Sequence, residues 1–318
     1  ILMDLFKIMP ITFILPHEYT AFVKTFMDIE QSKRNLPNAN QNNYWILKPV
    51  GLSRGRGISV IKDLNFSYDR NCVIRQYIQN PLLLNGHKFD LRLYVLVASV
   101  RPLEAFVNKE GIARLSTELF SLSPDDITNK FIHLTNSSIQ KHNMSNMSST
   151  NNPITNESQT ESNGTKIPLT GDYGLWSRLE KQFLINNTIS NKESIVTTIW
   201  RSICILIIKS LIAVDDKMTY QCNCFELFGY DILIDNNLHP WLLEVNASPS
   251  LARENQLDIR VKNALIEDTI RLINPQLFNR NALVKIIKRR IDEISSNKQS
   301  NNINNINNSD NNLKSDLR

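Results

Sequence analysis

Glycine is scarce in this 318-residue chain: there are nine, roughly 3% against a usual share of about 7%. Where glycine clusters, the cluster therefore carries information. Gly51, Gly55 and Gly57 fall within seven residues. Long apolar runs are also missing. The longest, Leu93 to Ala98 and Ile203 to Ile208, are six residues, and a membrane helix needs about 18–20, so no span is expected. Asp4, Lys7 and Pro10 break the apolar stretches near the start, and no signal-peptide pattern follows. Four cysteines are too few for a disulfide scaffold. Cys222-x-Cys224 lacks the two-residue spacer of a zinc or redox pair, so all four read as thiols of a reducing compartment. The Asn-x-Ser/Thr sequons at Asn143, Asn146, Asn156 and Asn163 read as compositional bias.

What is present is a chain with 42% apolar residues, enough to bury a real core. The net charge of +5 is unevenly placed, because residues 279–318 hold eight basic and four acidic side chains. Attraction for an acidic partner is thus expected at the C-terminus. Asn143 to Thr165 reads as an unstructured insertion and residues from Asn297 onward as an unstructured tail, since both lack apolar content.

Between these stretches strands and helices alternate. Tyr44–Lys48, Ile58–Ile61 and Cys72–Ile78 read as strands, and Lys88–Val100 shows period two. Glu104–Asn108 and Ile112–Leu115 read as a hairpin turning at Lys109-Glu110-Gly111. Ile195–Val214 reads as a buried helix, apolar nearly all round. Phe225–Ile234 and Pro240–Val245 are strands joined by an Asp235-Asn236-Asn237 turn, and Ile259–Ile273 is an amphipathic helix.

Four constellations carry chemistry. Ser53-Arg54-Gly55-Arg56-Gly57 lies between strands, as a phosphate-covering loop would, or an ordinary basic turn. Neither the Walker nor the Rossmann spacing fits it. Lys88, Asp90 and Arg92 share one face of a strand whose other face is apolar, which implies a polar cleft more than a solvated edge. Glu244 and Asn246 share a face of the returning strand, with Asp231 close to the same level, and three hard oxygen ligands converge as at a Mg²⁺ site. Two carboxylates beside Trp241, Leu242, Leu243 and Val245 would be costly to bury without a cation. His133, Thr135 and Asn136 can orient a nucleotide or a carboxylate, or belong to a plain helix start.

Read in order, Tyr44 to Pro49, Ser53 to Ile58, Lys88 to Val95, His133 to Asn136, and Phe225 to Asp235 followed by Trp241 to Asn246 resemble the tubulin tyrosine ligase-like family. Within it, Asn80-Pro81-Leu82-Leu83 and the segment from Glu244 to Leu251 look most like the polyglutamylase branch. The resemblance runs from about Pro10 to about Ile273 and implies an α+β chain of ATP-grasp fold, with the nucleotide cleft between two α+β lobes. Lobes at 1–80 and 81–277 and a basic tail at 278–318 are expected.

The resemblance implies an ATP-dependent carboxylate-amine ligase that adds free glutamate to glutamate side chains of acidic tubulin tails, through an acyl phosphate. Lys48 would contact the ATP phosphates, with Ser53, Arg54, Gly55, Arg56, Gly57 and Ile58 closing over them. Gln76, Tyr77 and Ile78 would hold adenine. Lys88, Asp90 and Arg92 would line the nucleotide and substrate cleft, and Arg114 would lie near the reacting carboxylate. His133, Thr135 and Asn136 would face nucleotide and substrate, and Asp231, Glu244 and Asn246 would bind Mg²⁺. A glycine or tyrosine ligase of the same family, or a catalytically silent microtubule-binding protein, is the alternative.

A monomer is expected, cytoplasmic and on the cytoskeleton, including the cilium or flagellar basal body. Val284, Ile287, Ile291 and Ile294, among Lys285, Lys288, Arg289 and Arg290, read as a basic helix that suits microtubules on charge grounds, or as a plain solvated helix. No nucleic-acid motif accompanies the charge.

Overall fold

The computed structural model describes residues 6–35, 42–52, 55–67, 71–148, 166–185, 194–218, 224–274 and 280–293. Its elements in chain order begin with β1 (Thr12–Leu15), α1 (Tyr19–Asn35), β2 (Trp45–Pro49), β3 (Ser59–Ile61) and β4 (Cys72–Gln76). They continue with β5 (Leu83–Leu84), β6 (His87–Val100), β7 (Leu103–Val107), β8 (Ile112–Leu119), α2 (Lys130–His133), α3 (Ser137–Ser148) and β9 (Lys166–Pro168). The last are α4 (Leu175–Ile185), α5 (Ile195–Ile212), β10 (Glu226–Ile234), β11 (Pro240–Asn246) and α6 (Gln256–Ile273).

The strands make two antiparallel sheets. The smaller has the order β1-β4-β2-β3 and the larger β11-β10-β6-β8-β9, with β5 and β7 also pairing β6. The small sheet is backed by α1, where Phe22 and Phe26 stand one helical turn apart. Phe22 meets the fully buried Trp45 edge-on at 5.1 Å between ring centroids.

The large sheet is organised by β6. Its odd residues Phe89, Leu91, Leu93, Val95 and Val97 enter the main core, against Leu175 and Leu179 of α4 and Ile199, Ile203 and Leu206 of α5. Burying each such side chain contributes about 1.5–3 kcal/mol. Its even residues take the other face, as strand geometry requires. There α6 covers only the Tyr94 end, packing Leu257, Val261 and Leu265 on Tyr94 and Ile112. The stretch carrying Lys88 and Asp90 is left to line a cleft, with Arg92 beside its lining, held on Asp231. The turn into β6 is Asn85-Gly86, with φ of 51° and 82°, as a two-residue type I′ hairpin demands.

Three expectations are corrected. Lys109-Glu110-Gly111 does not close a hairpin: β7 and β8 follow one another along the same edge of β6, each antiparallel to it. Gly111 is needed for proximity, since a Cβ there would lie 2.7 Å from the Arg92 carbonyl oxygen. The second is α5, which is buried along one face only. Ile205, Ile208 and Ile212 are exposed, so an apolar surround did not mean burial on every side. By length and composition α5 could cross a membrane, yet its other face is packed into the core. Third, the chain does not lose structure at Asn143. Helix α3 runs to Ser148, and the Asn143 amide donates to Thr117 Oγ1 at 2.8 Å. Residues 149–165 lie outside the described residues.

Residues 1–272 form one compact unit and 273–318 another. The second contains a helix over 280–293, whose Val284, Ile287 and Ile291 are exposed. Ile294 and the tail from 297 lie outside the described residues.

Candidate active site

Between the two sheets lies an open cleft, lined by side chains of both. Two chain crossings frame it. One is the N-terminal segment, where Leu242 N donates to Ile8 O and Gln76 N to Ile11 O, both at 2.8 Å. The other is the link from β4 to β5, where Tyr77 N donates to Tyr44 O at 2.9 Å and Leu82 N to Ile234 O at 2.8 Å.

The floor is built from strand register. Asp90 pairs with Arg114 across β6 and β8, and Asp231 pairs with both Arg92 on β6 and Glu244 on β11. Paired residues share a sheet face, so these side chains meet. Arg114 grips Asp90 in a fork, Nε to Oδ1 at 2.8 Å and Nη2 to Oδ2 at 2.5 Å. Its Nη2 also reaches Asp231 Oδ2 at 2.8 Å. Arg92 grips Asp231 from the other side, Nε to Oδ1 at 2.5 Å and Nη2 to Oδ2 at 3.1 Å. Two arginines and two carboxylates thus neutralise one another in a buried row. Burial alone would raise the pKa of Asp231, but Arg114 and then Arg92 outweigh it and hold it well below the usual carboxylate range. Burial likewise works against the Arg114 charge, and Asp90 and Asp231 overcome it and push its pKa up.

Three further cleft charges lie outside that row. Lys48, reaching in from β2, has its pKa lowered by burial and then by Arg75, against weaker help from Glu244, Asp231 and Asp90. Lys88 is depressed further, to about 7, by burial, with Asp90 opposing and Lys48 adding to the shift. Its Nζ donates to Tyr77 Oη at 3.0 Å and to the His133 carbonyl at 2.8 Å. It also sits 4.6 Å from the Tyr77 ring centroid, a cation–π contact. The third is Glu244, whose pKa is raised by desolvation and by the Asp231 charge. Asp231, rather than Glu244, is the buried carboxylate of the pair. Glu244 is at the exposed mouth, so the expected burial of both is corrected.

A bulge explains how Glu244 reaches the cleft. The register of β10 and β11 shifts between Asp231 and Ile232, so Leu243 is an extra residue. Leu243 and Glu244 then both line the cleft although they are consecutive. Asn246 is held at the edge, its Nδ2 donating to Gly229 O at 3.2 Å and Glu244 Oε1 at 3.3 Å.

The cleft wall includes Lys48, Ile58, Gln76, Tyr77, Ile78, Thr135 and Asn136. His133 is placed otherwise. Its Nε2 lies 3.1 Å from the Asp126 carbonyl and must donate there, so Nδ1 accepts from Tyr77 Oη at 2.9 Å. Burial and then the Lys88 charge lower its pKa to about 4, and the ring stays neutral. His133 is therefore a buried strut behind Tyr77 and Lys88. Gly55 and Gly57 hold φ of 73° and 71°, and a Cβ on Gly55 would strike the Ile139 side chain of α3. The loop thereby approaches Asn136, whose Oδ1 is 3.3 Å from that Cβ position. Arg56 is exposed on the loop, and Ser53 and Arg54 lie outside the described residues.

One cleft residue escaped the sequence reading. Arg75 of β4 donates to Thr12 Oγ1 at 2.9 Å and to Leu243 O at 2.5 Å, tying the small sheet to the bulge beside Glu244. Period two within β4 places it on the face of Tyr77, a signal available from the sequence alone.

The sequence pattern of the tubulin-tyrosine ligase family matches residues 2–283. The chain belongs to the tubulin-tyrosine ligase family. The relatives of this family member include the human protein named probable tubulin polyglutamylase TTLL2, 37% identical over 271 residues, which cover 85% of this chain and 41% of the relative. Mouse tubulin polyglutamylase TTLL5 is 36% identical over 277 residues, 84% of this chain and 18% of that protein. The probable alpha-tubulin polyglutamylase Ttll1 of Tetrahymena thermophila is 33% identical over 287 residues, 85% of this chain and 61% of its own length. The chain thus spans from about a fifth to about three fifths of the length of these relatives. The mixed α+β architecture with two antiparallel sheets agrees with the family.

Proposed function

We propose that this chain is an ATP-grasp ligase domain that joins glutamate to glutamate side chains of tubulin tails. The observation that carries the reading is the charge layout of the cleft. Two desolvated lysines, Lys48 and Lys88, form a pole that wants an anion. Across from them Glu244, with its raised pKa, wants a cation. A nucleotide triphosphate with its metal ion answers both poles at once. The names of the relatives supply the amino acid and the acceptor.

The lobes of this reading are 1–80 and 81–277, with the basic tail from 278 engaging the microtubule. The domain works as a monomer at the cytoplasmic cytoskeleton. Gln76, Tyr77 and Ile78 receive adenine, and the loop around Gly55 and Gly57 covers the phosphates. Asp231, Glu244 and Asn246 offer only hard oxygen donors, which suit Mg²⁺. Among the described residues no group of three or more His, Cys, Asp or Glu forms a metal cage, so a metal ion held there would take its remaining ligands from phosphate and water. Mg²⁺ held there would neutralise charge on the phosphates.

In the first step the acceptor carboxylate attacks the γ-phosphorus, the bond to the β-phosphate oxygen breaks, and ADP leaves. In the second the amine of free glutamate attacks the acyl carbon, loses a proton and expels phosphate, forming an amide. Arg114 steadies the reacting carboxylate, and Lys88 holds phosphate oxygens. The test is incorporation of labelled glutamate into tubulin with ATP, alongside labelled glycine and tyrosine. The wild type should take glutamate, and Glu244→Gln should lose nearly all of it. Preference for another amino acid, or equal incorporation by the variant, would overturn the reading.

A further inference from the structure

The charged face of the large sheet does not end at Arg114. In the register of β8 and β9, Arg114 pairs with Lys166, so the Lys166 side chain lies on the same face, one strand further out. The cluster it enters is not used by the chemistry above. Lys166 Nζ donates to Asp258 Oδ2 at 3.1 Å, and Lys262 Nζ is 3.2 Å from Asp258 Oδ1. Asp258 is fully buried in the first turn of α6. One carboxylate is thus shared by two nearly buried lysines, and one positive charge is left over.

The nearest group to take that charge is a glutamate of the chain itself. Glu254 is half exposed on the loop before α6. Its Oε2 accepts from Lys141 of α3 and lies 4.0 Å from Lys166 Nζ. The neighbouring Asn255 bonds Asp258 N through its Oδ1 at 2.7 Å, while its buried Nδ2 has no acceptor among the described residues. Two cations therefore hold a half-exposed glutamyl carboxylate, and the next residue carries an orphaned amide donor. A buried donor without an acceptor is costly unless a ligand supplies one.

We propose that Lys141, Lys166 and Asn255 form a carboxylate-binding subsite at the outer end of the charged face, which Glu254 occupies until a glutamyl substrate displaces it. The inference rests on the proposed ligase function and adds to it a place for a second glutamyl carboxylate. Its ligand chemistry is that of a glutamate carboxylate, borne either by the free amino acid or by the acceptor tail. Displacement of Glu254 leaves Lys141 without that carboxylate and Lys166 and Lys262 sharing Asp258 alone, so an incoming anion is favoured.

The experiment is calorimetric titration, without turnover, of L-glutamate and separately of a synthetic glutamate-rich peptide. The proteins compared are wild type, Glu254→Gln, Lys141→Met, Lys166→Met and Lys166→Arg, with thermal melts to verify folding. Glu254→Gln should bind one of the two ligands about threefold to tenfold tighter, because the internal competitor has lost its charge. Lys166→Met should bind the same ligand about tenfold weaker or worse, with Lys166→Arg recovering most of the loss. Whichever ligand responds identifies the source. If Lys166→Met fails to fold, Glu254→Gln and Lys141→Met, on the exposed pair, decide the matter. Binding of both ligands within about twofold of wild type in every folded variant would overturn the subsite, as would no binding of either ligand to wild type. A lack of glutamate incorporation by the wild type would count against the ligase function instead, since the titrations need no turnover.

Discussion

Lys88 makes the proposed nucleotide site sensitive to pH in a calculable way. The side chain is wholly enclosed, and burial, with Lys48 adding, brings its pKa to about 7 from a usual 10.5. The groups facing it are Asp90, Lys48, the Tyr77 hydroxyl and the His133 carbonyl. Of these only Asp90 is an anion, and Arg114 already holds it. A triphosphate placed against Nζ would restore much of the missing stabilisation of the ammonium and raise its pKa again. At pH 8 the free protein would carry Lys88 about 90% neutral, so nucleotide binding should take up about 0.9 proton, and at pH 6 only about 0.1. The sign follows: above pH 7 the free state holds fewer protons than the complex, so affinity falls as pH rises, approaching tenfold per unit. The assay is calorimetry of a non-hydrolysable ATP analogue with Mg²⁺, at pH 6 and 8, in two buffers of different ionisation enthalpy. Lys88→Arg, which stays charged, is the control and should lose the extra uptake at pH 8. Equal proton uptake at both pH values in the wild type, or an unchanged pH dependence in Lys88→Arg, would refute the assignment.

Two further outcomes test the framework under the site. Asp231→Asn leaves Arg92 and Arg114 without their shared counter-charge, and stability should fall by about 3–5 kcal/mol in chemical denaturation, as for a broken buried pair. Gly111→Ala puts a methyl group 2.7 Å from the Arg92 carbonyl oxygen and 2.9 Å from Leu169 Cδ1. Such overpacking should cost about 1–3 kcal/mol and lower the melting temperature, and an unchanged melting temperature would contradict the packing described.

Strand alternation made much of this fold legible. The period-two pattern of Lys88 to Val100 separates an apolar core face from a charged face, and the structure puts α4 and α5 on the first. The Asp235 turn was also readable, because its carboxylate accepts from Asn237 N and His239 N at 2.9 and 3.0 Å. Other features were hidden for physical reasons. Residues 109–111 carry turn-like composition, but turn propensity does not say whether two short strands pair with each other or share the edge of a third. The bulge at Leu243 leaves no mark in the alternation, yet it alone lets Glu244 follow Leu243 into the cleft. Burial of α5 on one face depends on what surrounds it, which composition does not report.

The same limit applies to charge. A sequence shows that Lys88, Asp90, Arg92, Arg114 and Asp231 are ionisable; it does not show which of them cancel. Register decides that. Arg114 is shared between Asp90 and Asp231, and Arg92 completes the row, so four of the five charges balance one another and stiffen the floor. The charges that this row does not neutralise include Lys48 and Lys88 on one side and Glu244 on the other. Residues of one polar face thus divide into neutralised and unneutralised charges by their cross-strand partners. A shift of β10 by one residue against β6 would turn Asp231 to the opposite face. Arg92 and Arg114 would then be freed to compete with Lys48 and Lys88 for the same anion, and the separation of the two poles of the cleft would be lost.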